Sequence, residues 1–136
     1  MTVIRADLDG FTPAEPVRDA GPYTLKVTSA EDKEVTTKQG DKRVILEILL
    51  RILESGLKNP KLVRYTLWMP HAGQTAEQKN AAQGQIIRFK KACGIEDYED
   101  DDIDTSEILG AEFDATLKLI EDSEYGDKNE IRRILA

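Results

Sequence analysis

Cysteine occurs once in the 136 residues, at Cys93, so no disulfide can form within the chain and a reducing compartment is expected. Histidine also occurs once, at His71, and the clustered Cys/His spacing of a zinc site is missing. No apolar run approaches the roughly 20 residues that cross a bilayer, so no membrane partner is expected. The N-terminal stretch MTVIRADLDGF lacks the basic-then-apolar pattern of a secretory leader. Together these absences predict a cytoplasmic protein. No repeat is evident, and the length is that of one domain with one core.

The residues that catalysis needs are also scarce. There is no GxxxxGK[ST] phosphate loop and no GxGxxG turn. A nucleophile needs a base beside it, and His71 with Cys93 is the one pairing available. The plainer reading of that pair is a loop histidine and a core cysteine on a helix face. Asp100, Asp102 and Asp104 imitate the opening of a calcium loop, but its sixth position is Thr105 and its twelfth Ala111, where glycine and glutamate are required. The DLDG fragment at residues 7 to 10 has no continuation. The chain is therefore expected not to be an enzyme and to carry no cofactor and no metal.

Charge is present in quantity and unevenly placed. The net charge is −7, from 26 acids and 19 bases. Residues 96 to 107, EDYEDDDIDTSE, hold eight of those acids and no base. Without them the remaining 18 acids and 19 bases leave +1. The chain is a near-neutral body with one acidic segment, and its whole-chain charge does not exclude a polyanionic ligand.

Alternation marks the strands. Residues 1 to 21 have no sustained period and are expected to be an extended lead-in to a single domain over residues 22 to 136. In YTLKV, Tyr23, Leu25 and Val27 face one way, with Thr24, Lys26 and Thr28 opposite. A polar stretch with Gly40-Asp41 then suits a hairpin turn. Residues 43 to 53, RVILEILLRIL, satisfy both a strand face (Val44, Leu46, Ile48, Leu50, Ile52) and helical spacing (Ile45, Ile48, Leu49, Ile52, Leu53); periodicity does not decide, and flanking turn signals lean toward strand. LVRYTLWM alternates again, with Val63, Tyr65, Leu67 and Met69 on one face and Leu62, Arg64, Thr66 and Trp68 on the other.

A helix follows with a capping box, Thr75 to Gln78, a stripe of Ile86, Phe89 and Cys93, and Gly94 as its left-handed stop. Gly84 within it has no evident purpose. EFDATLKLI and EIRRIL supply two further strands. The order is β-β-β-α-β-β, that of a mainly-β, five-stranded, OB-fold-like barrel with one helix between strands three and four, which binds ligands across strands two and three and the first and fourth hairpin loops.

Several of these residues also form a pattern. Pro70 ends a strand, Arg88-Phe89 and Cys93-Gly94 mark the helix, Leu109-Gly110 turns before a strand, and Asn129 leads a last strand carrying Arg132 and Arg133. Over residues 21 to 135 the chain resembles bacteriophage single-stranded DNA-binding proteins with an OB-fold. That resemblance implies a non-catalytic protein that protects or organises single-stranded DNA in replication or recombination, inside a bacterial host cell, with phage or host replication proteins as further partners. The chain departs from it in its RRILA ending, which has no acidic tail, and in having few bases.

A sequence-tolerant single-strand binder needs cations along the phosphates and aromatic faces under the bases. Trp68 and Arg64 share the outer strand-three face; alternatively Trp68 packs under the helix or the N-terminal segment. Around that face the candidates are Lys26 from strand one, Arg43 and Arg51 from strand two, Lys33, Lys38 and Lys42 from the first hairpin, and Tyr125 and Lys128 from the fourth loop. Arg132 and Arg133 are adjacent, so strand alternation lets only one of them, taken as Arg132, line a groove. Neither stacking nor phosphate contact distinguishes DNA from RNA. The alternative reading is a phage protein-interaction module, or an inhibitor that mimics DNA through residues 96 to 107. Self-association through a strand edge is a third reading. The plain reading of the acidic run is a solvated connector.

Overall fold

The computed structural model describes residues 2–7 and 9–135; Met1, Leu8 and Ala136, and with them parts of the MTVIRADLDGF, DLDG and RRILA stretches, lie outside it. The elements run β1 (Tyr23–Thr36), β2 (Lys42–Leu53), β3 (Val63–Trp68), α1 (Ala76–Ala92), α2 (Thr105–Ile108), β4 (Glu112–Ile120) and β5 (Lys128–Leu135). The order is the one the periodicity predicts, with the four-residue α2 added at the end of the acidic run. All five strands pair antiparallel in one sheet, in the order β3-β2-β1-β4-β5. Its end strands β3 and β5 approach within 8 Å, Cα to Cα, so the sheet curls on itself. No ladder joins them among the described residues, and the seam is open. The fold is mainly β and OB-fold-like.

The segment of double periodicity is strand β2, because both its edges are paired, to β1 on one side and β3 on the other. Leu46, Ile48, Leu50 and Ile52 point into the core. Ile45 is buried as well, but outside that core, on the opposite face and directly across from Trp68. An apolar residue on each face of one strand is what lets RVILEILLRIL imitate a helix. Val44, on the same alternating face, is exposed, because it lies near the end of the β1–β2 hairpin where the core has run out.

Helix α1 begins at the capping box. Thr75 Oγ1 accepts from the Gln78 N–H, and Gln78 Oε1 accepts from the Thr75 N–H. It ends in a Schellman motif: the Ile95 N–H reaches Lys90 O, the Gly94 N–H reaches Lys91 O, and Gly94 takes φ +79°. Between these ends Phe89 is fully buried. Its ring stacks on Tyr65, at 5.6 Å, and meets Phe113 edge-on, at 5.7 Å. That contact ties the helix to both halves of the sheet, and truncating such a ring costs about 3–5 kcal/mol. Gly84 is exposed with open space around it, and nothing in the structure explains it.

Residues 15 to 20 of the lead-in are held against the sheet by hydrogen bonds. Asn129, 3% exposed, accepts from the Val17 N–H (2.8 Å) and donates to Val17 O (3.0 Å), completing a strand-like pair with a side chain. Glu15 bridges to Pro60, and Ala20 O accepts from the Leu117 N–H. The Asn129 bonds satisfy the backbone at Val17, a buried residue in a mostly exposed segment that joins no ladder.

The acidic run is not a loose connector. Lys90, 2% exposed, turns its ammonium into the run and donates to the carbonyls of Asp100 (2.8 Å) and Asp102 (2.7 Å). Asp104 caps α2 by accepting from the Ser106 N–H, and Ile108 enters the core. The Gly110 N–H donates to Val27 O, and Ala111 O accepts from the Val27 N–H. A solvated row of carboxylates here covers a backbone that is bound from beneath.

Candidate nucleic-acid interface

The outer face of β1, β2 and β3 can be read row by row from strand register. Lys26 lies across from Arg51, Ser29 from Leu49 and Leu49 from Arg64, Glu31 from Glu47 and Glu47 from Thr66, Lys33 from Ile45 and Ile45 from Trp68, and Val35 from Arg43. Residues directly opposite on one face have Cβ atoms roughly 4.5–5.5 Å apart, so each row is a set of touching side chains. This face brings Lys26, Lys33, Arg43, Arg51, Arg64 and Trp68 onto one surface. Trp68 stands outward, 42% exposed, so the reading that places it beneath the helix or lead-in does not hold. Its ring lies across from Ile45 on one side. The Arg43 guanidinium sits 5.4 Å from its centre.

The cations on this face are not all free. Glu47 draws both Lys33, at 3.3 Å, and Arg64, at 3.6 Å. On the opposite side of the hairpin Lys42 pairs with Glu34, at 3.6 Å. Arg43 donates from Nη2 to Met69 O, at 3.2 Å, while its Nε is buried without a partner. Glu47 is partly buried but Lys33 and Arg64 reach it from solvent, and surface pairs contribute only about 0.2–1 kcal/mol, so a phosphate can compete for either cation.

Beside this face an open cleft of about 690 Å³ runs between β3 and the β4–β5 connection. Arg64 and Thr66 line one side, Tyr125 and Lys128 the other, with Leu49, Leu62 and Lys61 completing it. Asp122 and Glu130 are its acids. The β4–β5 loop is shaped from within. Asp122 Oδ1 accepts from the N–H groups of Tyr125 and Glu124, bonds that hold its carboxyl below the usual carboxylate value and tip Tyr125 outward, 79% exposed. Asp127 is likewise lowered, first by its bond from Arg18 and then by the Asp122 N–H. Lys61 Nζ donates to Asp127 O at 2.9 Å and so fastens the loop to the β2–β3 connection.

The other candidates lie elsewhere. Lys26 and Arg51 line a smaller recess of about 280 Å³ with the β2–β3 loop. Lys38 is at the far tip of the β1–β2 hairpin, with Lys42 just beyond it. Arg132 does not line the cleft. Arg132 and Arg133 do not alternate across the strand, because the ladder to β4 shifts register between Thr116 and Leu117. Ile131 packs on the core and Ile134 is in it, so both arginines between them are exposed. Lys61 is the residue that sequence reasoning missed. Its position between Pro60 and the strand carries no signal, since its role depends on a loop 66 residues away.

Cys93 and His71 do not make an activated pair. Burial pushes the Cys93 thiol up to about 12, the reverse of what a thiolate nucleophile needs. His71 Nδ1 is occupied as an acceptor for the Gly73 N–H, at 3.1 Å. Among the described residues no helix is long and apolar enough to cross a membrane. No protein-family model matches the chain, and no curated protein matches it significantly.

Proposed function

We propose that the protein binds single-stranded DNA without catalysis, along the outer face of β1 to β3 and into the cleft against the β4–β5 loop. One observation carries the reading: Arg64 lines a single open cleft with Tyr125 and Lys128, which are remote from it in sequence, and the cleft adjoins a face bearing an outward Trp68. Phosphates would track Arg64, Lys128 and Lys61, and bases would stack on Trp68 and Tyr125. A strand-tolerant binder needs this mixture of cations and exposed rings, and needs no base-edge readout. The phage-type pattern in the sequence agrees with such a role in protecting or organising single strands during replication or recombination.

Fluorescence of Trp68, the only tryptophan, supplies the test. Titration with an oligothymidylate at low salt should quench it, and added salt should reverse the effect through counterion release. An RNA oligonucleotide and duplex DNA run as competitors establish the preferred form. Absence of both binding and quenching at low salt would remove the proposal.

A further inference from the structure

A second concavity, of about 330 Å³, opens between α1 and the acidic run, and it shares no lining residue with the cleft described above. Its floor is apolar: Ile86 and Ile87 of α1, Met69 at the end of β3, and Ile103 of the run, each half-exposed. Its rim is acidic, with Glu99, Asp100 and Asp101, and no cation lines it among the described residues. The wall is built rather than draped. Lys90 holds the run's backbone at Asp100 and Asp102, and Lys91 lies 4.9 Å from the ring centre of Tyr98, which also lines the groove. The run is thus fixed at a distance that leaves the isoleucines half-covered, where closing onto them would have buried more apolar surface.

We infer that this groove docks a basic, amphipathic segment of a partner protein, an apolar side chain entering between Ile87 and Ile103 while flanking lysines or arginines meet Glu99 and Asp101. Charge complementarity selects the occupant. Nucleic acid is repelled by the rim. A second copy of the chain offers a body of only +1 outside the acidic run, which gives the rim little to attract. A cationic segment gains from both floor and rim, with the apolar anchor supplying affinity and the charges supplying approach and orientation. The inference does not depend on DNA binding, because the two surfaces are separate.

The probe is a fluorescein-labelled peptide with a leucine-phenylalanine pair flanked on both sides by arginines. Two control peptides replace the apolar pair by serines or the arginines by glutamates. Fluorescence anisotropy should show binding of the first peptide, with both controls weaker by about tenfold or more. Ile87→Asp should abolish the difference between the first peptide and the serine control. The double variant Glu99→Gln/Asp101→Asn, both exposed positions, should weaken binding at low salt and much less at high salt. If Ile87→Asp does not fold, as judged by circular dichroism, the double variant still decides. No binding, equal binding of the serine control, or binding unchanged in the variants that fold would overturn the inference. So would sedimentation showing a self-association of the chain that Ile87→Asp removes, since the occupant would then be a second copy.

Discussion

Arg43 lies over Trp68, its guanidinium carbon 5.4 Å from the ring centre, and so occupies part of the surface on which a base would stack. A cation–π contact contributes about 0.5–1 kcal/mol at exposed sites and about 2 kcal/mol where desolvated, and a base stacked on an aromatic side chain contributes about 1–3 kcal/mol. A base can therefore displace or sandwich the arginine.

Trp68→Ala should weaken oligothymidylate binding by about 1–3 kcal/mol, the loss of one stacked base. Arg43→Ala should leave the fold intact and shift the free protein's tryptophan emission to the red, as the ring meets more water. Anisotropy of a fluorescein-labelled oligothymidylate checks the first, and emission spectra of the free protein check the second. Unchanged affinity in Trp68→Ala would show that the ring is no stacking platform.

Glu47 neutralises two cations of the proposed interface, Lys33 and Arg64. Glu47→Gln should release both and tighten single-strand binding, most at low ionic strength. Arg64→Ala should act oppositely and lower the salt slope of binding by about 0.7, the value for one phosphate on a single strand. Anisotropy titrations across a salt series read both. Weaker binding in Glu47→Gln would place the ligand elsewhere.

Lys90 secures the acidic run by its backbone, so Lys90→Met should leave two carbonyls without donors and cost about 1–3 kcal/mol of stability. Urea denaturation measures the loss, and limited proteolysis by a glutamate-specific protease should show faster cleavage near Glu96 and Glu99. A wild-type cleavage pattern would mean that the run is held by other contacts. For the same reason, charge neutralisation within residues 97 to 104 is a cleaner probe of that surface than deletion, which would strip Lys90 of its partners.

The Cys93 thiol is raised by burial from 9.0 to about 12. As pH rises past 9.0 the unfolded chain releases this proton while the folded chain retains it, so stability present in full below 9.0 declines toward 12. Tyr23 adds to the same slope. Its hydroxyl is raised from 10.0 to about 12, first by its hydrogen bond to Asp19 and then by burial. Cys93→Ala should flatten the alkaline fall in urea midpoint without altering the midpoint's trend below 9.0. An unchanged slope would show that Cys93 ionises equally in both states. Alkylation of the thiol should be slow in the folded protein and fast in urea.

What the sequence determined by itself is the local geometry. Alternation at Leu25, Val27, Leu67, Phe113, Ala115 and Leu117 specifies the buried faces of three strands, because a period of two leaves one side for the core. The capping box and Gly94 mark the ends of α1 by chemistry confined to a few neighbouring residues. Tertiary structure decided whatever depends on partners far along the chain. Residues 43 to 53 became a strand once both edges were paired, and Ile45 was buried on the outer face because Trp68 arrived across from it. Arg132 and Arg133 came to be exposed together through one register shift against β4. The cleft joining Arg64 to Tyr125 and Lys128 exists because the sheet curls until β3 approaches β5. The acidic run looked like solvated charge because composition reports side chains, whereas Lys90 binds its carbonyls, and a backbone's partners have no signature in the residues that carry it.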